Sequence, residues 1–542
     1  MKKDTGKERY ITRSLAAFEV NPVYTWEDLE KRGFDYAKDV GDPGEHPFTR
    51  GVRRAMYRES SWVINLYSGY GLPEDSSERF KRLLSFGVEG ISMAVDLPTQ
   101  IGIDSDHPLA SGEVGRVGVA IDSLADMETL FREIDISKLA HVGMLGNSIG
   151  PFSLAVFLAL AEKKGLTTNQ WRINLQNDVL KEFATRGTQI FPIQPSVRVS
   201  TDVVKYCAQE GLSHFIAMNV CGAHMNPPGA SWEMAFAMTD AITYIDDIIA
   251  SGMGIDEFAH LLTSFLSIGS ATIDLFEEVA KARAFRRIWA KLLKERYNAQ
   301  SDTSLKVRQI AFIIAGATAQ QPMNNVARIA LGIQAAILSG VASIHSACWD
   351  EGLTIPSEDA VEVAIRTQQI LRHETGSVTA TADPLGGSYF LEDLTDRIEA
   401  DVWEKMGVIE NMGGAIAAIE KGFYQQKIAE GAYKIQQETW NGTRGVVGVN
   451  VYRHKDERIP LGKFKIDPTT EKKKIAGLKK LRRGRNNVKV KEALREVRTA
   501  AESGENLVPS TLAAVREYAT IGEICDQLRE VYGEYTEGAQ YA

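Results

Sequence analysis

The strongest constraint on the fold is a pattern that repeats between about residue 86 and residue 355. Each repeat has a short apolar run, a polar or glycine-rich exit and then a helical stretch. Strands that alternate with helices in this way predict a (β/α)8 TIM barrel, with functional residues at the carboxyl ends of the strands. A doubly wound open sheet also alternates, but it more often has a glycine-rich phosphate loop after its first strand, and none stands here. The predicted strands are "GISMAVD", "VGVAIDS", "HVGMLGN", "RINLQND", "FIAMNVCG", "FLSIGSA", "QIAFIIAGA" and "SIHSACW".

The loop that follows the first of these runs is strongly polar. It reads "DLPTQIGIDSDHP" and occupies residues 96–108. In a barrel, such a loop connects a strand to a helix on the face where ligands bind. A simpler interpretation is that Asp104 or Asp106 caps a helix by accepting backbone N–H groups, and we favour it for these two residues.

The regions outside the barrel are predicted to be an N-terminal arm and a C-terminal helical extension. Thr520 and Glu523 have the spacing of a capping box before a final amphipathic helix. The Lys/Arg-dense segment from Lys455 to Arg498 predicts a solvated helical face or a linker, because no aromatic residues interleave its charges. The predicted parts are the arm at residues 1–60, the barrel at 61–393 and the helical region with its linker at 394–542.

Composition narrows the possible functions. The chain has 62 basic and 71 acidic residues, so nothing in its net charge of −9 favours nucleic acid or an anionic membrane as a partner. Its 4 cysteines stand singly, without CxxC spacing, and predict reduced thiols in a cytoplasmic protein rather than a metal site. The N-terminus lacks the apolar core of a signal peptide, and no run approaches the roughly 20 apolar residues of a membrane helix.

Several long motifs stand in one order along the chain: "YSGYG", "AVDLPTQIGIDSDHPLASGEVGRVGVAIDS", "LQNDVLKEFATRGTQIFPIQPSVR", "GAHM" and "DPLGGSYFLEDLT". Together they resemble the catalytic subunit of the adenosylcobalamin-dependent acyl-CoA mutases, the methylmalonyl-CoA mutase family, from about Tyr24 to the C-terminus. The resemblance implies a barrel threaded by the pantetheine arm of coenzyme A, and a radical rearrangement in which the acyl thioester group migrates. It also implies that adenosylcobalamin is held mainly by a separate small subunit, because the family's D-x-H-x-x-G motif is missing here. We therefore expect a hetero-oligomer.

The resemblance assigns roles to single residues. His224 matches the histidine that hydrogen-bonds the thioester carbonyl, and Tyr67 matches the tyrosine that lies against the substrate. Arg186 matches the arginine that binds the free carboxylate of methylmalonyl-CoA through its planar guanidinium. Without the resemblance, His224 would be read as a buried structural imidazole and Arg186 as an ion-pair partner. The other matches are Gln176 and Ser92 near the substrate, which could equally be capping or packing residues, and Glu351 at the adenosyl ribose, which could be a solvated loop acid.

Other positions depart from the family pattern. Ala223 stands where methylmalonyl-CoA mutases have a tyrosine before the histidine, and Leu145 and Gly143 stand where the family usually has Thr and Ser. These changes predict a roomier and less polar pocket, and so a larger or more branched acyl group. The further departures are Ala311, Ala347 and Asn65, which replace a Gln, an Asn and an Arg.

Three positions bear on whether the acyl group is charged. Mutases for isobutyryl-CoA and 2-hydroxyisobutyryl-CoA replace the tyrosine and arginine, whereas Tyr67 and Arg186 are both present here. The hydroxyacyl enzymes place an Asp where this chain has Ala94. We therefore expect a methylmalonyl-CoA-type thioester or a longer alkyl homologue. The alternatives are an isobutyryl-CoA or 2-hydroxyisobutyryl-CoA mutase, and a non-catalytic scaffold.

Overall fold

The strands of the protein are short and parallel. The computed structural model describes residues 18–226, 229–269, 273–314, 317–455 and 467–536. The strands are β1 (Val63–Asn65), β2 (Tyr67–Ser68), β3 (Ile91–Met93), β4 (Val142–Met144), β5 (Met218–Cys221), β6 (Leu262–Ile268), β7 (Arg308–Ile313) and β8 (Ser343–Ser346).

Strand pairing closes these elements into a ring. One sheet has the order β1-β8-β7-β6-β5 and the other has the order β2-β3-β4. β1 and β2 are two parts of one segment that bends at Leu66 and joins the sheets. On the opposite side, residues 173–176 fill the position between β4 and β5, so the fold is the predicted (β/α)8 barrel. The parallel bridges there join Val142 to Ile173, Leu145 to Gln176 and Asn174 to Ile216.

One predicted strand was wrong. Residues 117–123, "VGVAIDS", contribute only isolated bridges from Val119 to Gly71 and Val95. The first barrel position belongs instead to residues 63–68, which pair with β8 through β1 and with β3 through β2. The apolar pattern missed this segment because polar side chains that face the barrel interior, including Asn65, interrupt it.

One helix follows each barrel position, as the alternation predicted. These helices are Pro73–Phe86, Leu124–Leu130, Gly150–Lys163, Ile193–Gln209, Ala230–Ala250, Leu275–Tyr297, Asn325–Leu338 and Glu358–His373. Shorter helices are Trp26–Glu30, Leu97–Gln100, Ile255–Phe258 and Asp302–Leu305, and π-helices occur at Tyr36–Val40 and Glu182–Arg186. The C-terminal helices are Tyr389–Asn411, Gly414–Glu420, Phe423–Trp440, Thr470–Gly484, Asn487–Ser503, Leu507–Arg516 and Ile521–Tyr532.

The C-terminal helices pack against the outside of the barrel. Helix Leu507–Arg516 covers helix Gly150–Lys163, whose residues 150–161 are all buried. A helix with strands on one side and another helix on the other needs apolar residues all round, as this one has. Helix Tyr389–Asn411 lies on helices Ala230–Ala250 and Leu275–Tyr297 and begins five residues before the predicted boundary at 394.

The Lys/Arg-dense segment is not simply a solvated face. Within its described part, Lys474 is buried and lies 3.3 Å from Asp122, and it also pairs with Asp126. Arg482 pairs with Asp104 and Asp106 of the barrel loop at 2.5 and 2.7 Å. One side of helix Thr470–Gly484 is therefore tied to the barrel by ion pairs. Residues 456–466 of this segment lie outside the described residues.

The polar loop at residues 96–108 is anchored by the far end of the chain. Asp104 caps a helix as predicted, but the helix is Ile521–Tyr532, whose Gly522 N–H donates to Asp104 Oδ1 at 2.8 Å. Thr520 donates its hydroxyl to Asp104 Oδ2 at 2.6 Å and forms the predicted capping box with Glu523. Asp106 forms an ion pair with Arg482 rather than a cap.

Three general features complete the description. Among the described residues, no helix combines the length and the apolar character needed to cross a membrane. All 4 cysteines are buried and none forms a disulfide. The ranges that the structure describes contain no cluster of three or more His, Cys, Asp or Glu side chains placed to bind a metal ion.

Candidate active site

A cavity of about 210 Å³ lies within the barrel, with residues from the carboxyl ends of its strands around it. Seven positions discussed from the sequence line it: Tyr67, Ser92, Gly143, Leu145, Gln176, Arg186 and His224. The structure therefore brings together both catalytic candidates and most of the predicted substrate-binding residues. The rest of the lining is Met93, Met144, Asn174, Asn219, Phe265, Ile310, Phe312 and His345.

Three predicted site residues lie outside this lining. Ala94 and Ala223 are each only 4% exposed, and Ala223 packs beside the lining residue Phe265. Both alanines therefore add little surface to the described cavity, and their contact with substrate stays a prediction. Glu351 follows β8 on an exposed loop, and its carboxylate accepts the N–H of Cys348 at 2.9 Å.

The π-helix Glu182–Arg186 controls the charge of the cavity. Glu182 is fully buried and pairs with Lys181 at 2.7 Å, whereas Arg186 Nη1 is 3.9 Å from the same carboxylate. Asp178 is also close to Lys181, but burial raises its pKa and so disfavours its charge. Because Lys181 already neutralises Glu182, Arg186 brings one net positive charge to a lining in which the described residues include no carboxylate.

Two neighbouring side chains orient the polar groups of this wall. Lys181 donates to Gln176 Oε1 at 2.5 Å, which fixes the Gln176 amide at the cavity. Arg186 Nη2 donates to Gln100 Oε1 at 3.0 Å. Sequence reasoning named neither Lys181 nor Gln100 as a site residue, although both stand inside the quoted motifs.

His224 is held as a neutral imidazole. It lies in a turn of 3-10 helix, Ala223–Met225, directly after β5. Burial, with the positive charges of Lys181 and Arg186, lowers the His224 pKa well below its ordinary value. Its Nδ1 lies 3.2 Å from the sulfur of Cys221, and burial raises the pKa of that thiol to about 12. Neither partner ionises near neutral pH, so Nε2 of a neutral ring is free to serve as a hydrogen-bond donor when Cys221 donates to Nδ1.

Tyr67 forms an aromatic wall of the cavity. It exposes 40% of its surface, yet burial raises the pKa of its phenol to about 12. The exposed fraction and the raised pKa are consistent because the exposed part of the ring faces the cavity rather than open solvent. A large aromatic ring with a free face inside a barrel is suited to packing against a ligand.

The barrel interior is unusually polar. The Asn65 amide lies within hydrogen-bond distance of Ser92 Oγ, His141 Nε2 and His345 Nε2, at 2.9, 2.7 and 3.1 Å. Burial lowers the pKa of His141 to about 4 and that of His345 to about 3, so both rings are neutral. Asn219 lines the same space, and its Oδ1 is buried and has no hydrogen-bond partner among the described residues. Most barrels fill this region with branched apolar side chains, so these groups suit a polar ligand on the axis.

Gly143 is explained by backbone packing. A Cβ atom at this position would stand 1.8 Å from the carbonyl oxygen of Asn174. The glycine therefore lets β4 and residues 173–176 approach closely, and its small size does not simply enlarge the pocket. Asn65, another departure from the family pattern, supplies the central amide of the interior instead of a positive charge.

Arginines gather at the opposite end of the barrel. Arg308 is the first residue of β7, Arg172 precedes residues 173–176, and Arg53 precedes β1. Burial, together with Arg172 and Arg53, lowers the pKa of Arg308, which places the three positive charges near one another. Within the described ranges, none of the three forms an ion pair with a carboxylate.

These features define a barrel enzyme with a cationic, partly apolar ligand cavity at the carboxyl ends of its strands. A family model described as methylmalonyl-CoA mutase matches residues 13–534. The chain belongs to the methylmalonyl-CoA mutase family, whose members are acyl-CoA mutases that isomerise their substrates.

Curated relatives extend over nearly the whole chain. The 2-hydroxyisobutanoyl-CoA mutase large subunit of Aquincola tertiaricarbonis is 39% identical over 536 residues, which cover 98% of this chain and 93% of that protein. The methylmalonyl-CoA mutase of Rhizobium meliloti (strain 1021) is 35% identical over 534 residues, covering 98% of this chain and 73% of that protein. The methylmalonyl-CoA mutase of Escherichia coli (strain K12) is 34% identical over 541 residues, which cover 98% of this chain and 74% of that protein.

Proposed function

We propose that this chain is the large subunit of an adenosylcobalamin-dependent mutase that converts a methylmalonyl-type or longer alkyl-malonyl thioester of coenzyme A into its succinyl-type isomer. The observation that carries the choice of substrate is the guanidinium of Arg186, which is farther from Glu182 than Lys181 is, in a lining whose described residues include no carboxylate. The Arg186 side chain is 26% exposed, and its neighbouring carboxylate, Glu182, lies closer to Lys181, so an anionic acyl group can reach the guanidinium and pair with it. The planar guanidinium can receive both oxygens of a carboxylate.

His224 is assigned to the thioester carbonyl. A neutral imidazole can donate one hydrogen bond without adding a second positive charge beside Arg186. A donor that is already oriented stabilises the carbonyl oxygen as charge develops there during migration. Tyr67 supports this arrangement by closing one wall of the cavity and excluding water from it.

The cavity and the barrel ends match the parts of an acyl-CoA molecule. The cavity of about 210 Å³ has room for about seven waters at roughly 30 Å³ each, which is the scale of a small acyl group. Asn174 and Asn219 place polar side chains in the lining, beside the proposed path of the pantetheine arm along the axis. The cluster of Arg53, Arg172 and Arg308 at the far end favours the phosphates of the nucleotide.

The cofactor is assigned to both subunits. Glu351 Oε2 accepts the Cys348 N–H, and its Oε1, which has no hydrogen-bond partner among the described residues, is assigned to the adenosyl ribose on the same face as the cavity. The chain has no D-x-H-x-x-G motif to ligate cobalt, and a small cobalamin-binding subunit is the proposed partner. When bound, adenosylcobalamin supplies the radical chemistry, while this chain binds the thioester, orients it and excludes water.

A second candidate is a mutase for an uncharged or hydroxylated acyl-CoA. The relative from Aquincola tertiaricarbonis favours it by similarity, since that protein is named for 2-hydroxyisobutanoyl-CoA. Arg186, Tyr67 and the absence of an acidic side chain at Ala94 favour the carboxylated substrate instead. A non-catalytic scaffold is the third hypothesis, and the presence of His224, Arg186 and Glu351 argues against it.

The test combines the chain with its small subunit, adenosylcobalamin and a panel of acyl-CoA thioesters. We expect the dicarboxylic thioesters to be turned over fastest. Arg186→Gln should raise the KM for them sharply, because stranding a buried carboxylate typically costs about 2–5 kcal/mol. An isobutyryl-type thioester should instead bind more tightly to this variant than to the unmodified enzyme.

The control is Arg498→Gln, which changes an exposed arginine paired with Glu502 far from the cavity and should leave the substrate preference unchanged. Faster turnover of isobutyryl- or 2-hydroxyisobutyryl-CoA by the unmodified enzyme would contradict the assignment. A chain that turns over no thioester would support the scaffold reading.

A further inference from the structure

Gln100 lies beside Arg186 and holds it by a neutral contact. Its Oε1 accepts from Arg186 Nη2 at 3.0 Å, and its Nε2 donates to the carbonyl of Val95 at 2.7 Å. The side chain is 7% exposed. Because both ends of the amide are bonded, Gln100 is fixed in one orientation, with its oxygen facing the guanidinium.

The backbone around Gln100 is also fixed. Helix Leu97–Gln100 is capped by Asp96, whose Oδ1 accepts the Thr99 N–H at 3.1 Å. The carbonyls of Ile101 and Gly102, directly after the helix, accept from Arg529 at 2.8 and 3.0 Å. The loop is therefore braced on both sides of Gln100, and the fixed amide can hold the guanidinium of Arg186 in one orientation.

The chemical type of this support matters. An amide oxygen can orient a guanidinium N–H while leaving the positive charge in place. A carboxylate at the same point would form an ion pair with Arg186 and satisfy it before any substrate arrived. Glu182, the one carboxylate that the structure describes near Arg186 in this helix, lies 3.9 Å away and is already paired with Lys181.

We propose that Gln100 is a positioning residue that sets the enzyme's preference for anionic acyl groups, by orienting Arg186 without neutralising it. This inference rests on the proposed function of Arg186 as the carboxylate-binding residue. Gln100 acts through Arg186 and is not itself in the cavity lining. Its replacement by glutamate should convert a site for carboxylated thioesters into one that no longer distinguishes them from uncharged ones.

The test measures binding of succinyl-CoA and butyryl-CoA, which differ by a carboxylate in place of a methyl group. Calorimetry on the complex with the small subunit, without adenosylcobalamin, gives the ratio of the two dissociation constants. We expect Gln100→Glu to reduce the preference for succinyl-CoA by about tenfold or more, with little change for butyryl-CoA. Gln100→Leu, which removes the acceptor but adds no charge, should reduce it less, by about threefold or more.

Gln369→Glu is the matched control. Gln369 also accepts from an arginine, Arg366 at 2.6 Å, and donates to a backbone carbonyl, Phe86 O at 2.8 Å, but it lies on an outer helix. Gln369→Glu should leave the ratio of the two dissociation constants unchanged. An unmodified complex without a preference for succinyl-CoA would overturn the proposed function of Arg186.

A different result would overturn the role of Gln100 alone. In that case the unmodified complex prefers succinyl-CoA and Arg186→Gln abolishes the preference, but both Gln100 variants keep it. If Gln100→Glu does not fold, Gln100→Leu is the deciding variant. A ratio of the two dissociation constants in Gln100→Leu that equals the ratio in the unmodified complex would contradict the proposal.

Discussion

The charge of a single residue, Arg186, depends on how its neighbours are paired. In an α-helix, Glu182 and Arg186 would stand four residues apart on one face and attract each other. Here the segment is a π-helix, Glu182 pairs with Lys181 at 2.7 Å, and Arg186 is 3.9 Å away. The sequence motif predicted which residues meet at the site. It could not predict this pairing, because helical spacing points to the wrong partner.

The role of His224 can be tested at the same scale. His224→Ala should reduce kcat by about 10²–10³, because it removes a preorganised donor to the thioester carbonyl, while binding of the thioester changes little. Since burial lowers the His224 pKa, lowering the pH from 8 to 6.5 should not protonate the ring, and kcat should show no loss attributable to it. Steady-state kinetics with the small subunit check both points.

The control for this prediction is His373→Ala, at an exposed position on the last barrel helix. An unchanged kcat in His224→Ala would exclude the assigned role. An ionisation near pH 6.5 that disappears in the variant would show that the ring is not held neutral.

At the scale of elements, the sequence pattern identified strands by their apolar runs and failed where the barrel interior is polar. In residues 63–68, Asn65 and Tyr67 point toward the interior, and these polar side chains interrupt the apolar run. The segment "VGVAIDS" is apolar but forms only isolated bridges. The helices were easier to predict because each has an apolar face against the barrel. Helices Tyr389–Asn411 and Gly414–Glu420 are separated by a break at Gly413, where φ is 105°.

Helix Tyr389–Asn411 is joined to the barrel by a buried cation. Arg283 has a fully buried side chain and donates to both oxygens of Glu392 at 2.6 Å, and it also pairs with Asp383. Arg283→Met should lower the free energy of unfolding by roughly 3–5 kcal/mol, because it leaves the buried Glu392 without its cation and leaves Asp383 with Arg50 alone, at 3.4 Å. Urea denaturation followed by circular dichroism measures this change.

The matched control is Arg498→Met, which breaks the exposed pair with Glu502 and should cost about 1 kcal/mol or less. A similar small cost for Arg283→Met would mean that packing alone joins the helix to the barrel. Partial recovery in the double variant Arg283→Met, Glu392→Gln would identify the stranded charge as the cause.

At the scale of the whole molecule, the chain is expected to need a partner. The relative from Aquincola tertiaricarbonis is named as a large subunit, and this sequence contains no D-x-H-x-x-G motif. We predict that the chain alone binds adenosylcobalamin weakly and has no mutase activity. Titration with the cofactor, with and without a cognate small subunit, checks both parts.

The baseline for this assay is the His224→Ala chain mixed with the small subunit. Full turnover by the large chain alone would contradict the prediction. The fold of the barrel, its ligand cavity and the family were all accessible from the sequence. The anchoring of the barrel loop by the last helix was not, since no local pattern links positions so far apart in the chain.

The distance between Asp104 and Gly522, 418 residues along the chain, has a consequence for biosynthesis. A ribosome that adds about 5–20 residues per second needs roughly 20–80 s to cover that distance. The strands of the barrel, which end at Ser346, are complete well before the end of this time, but the loop that carries Gln100 still lacks the contacts of Arg529. In each new molecule, the support for Arg186 is therefore completed only after the last helix has been synthesised.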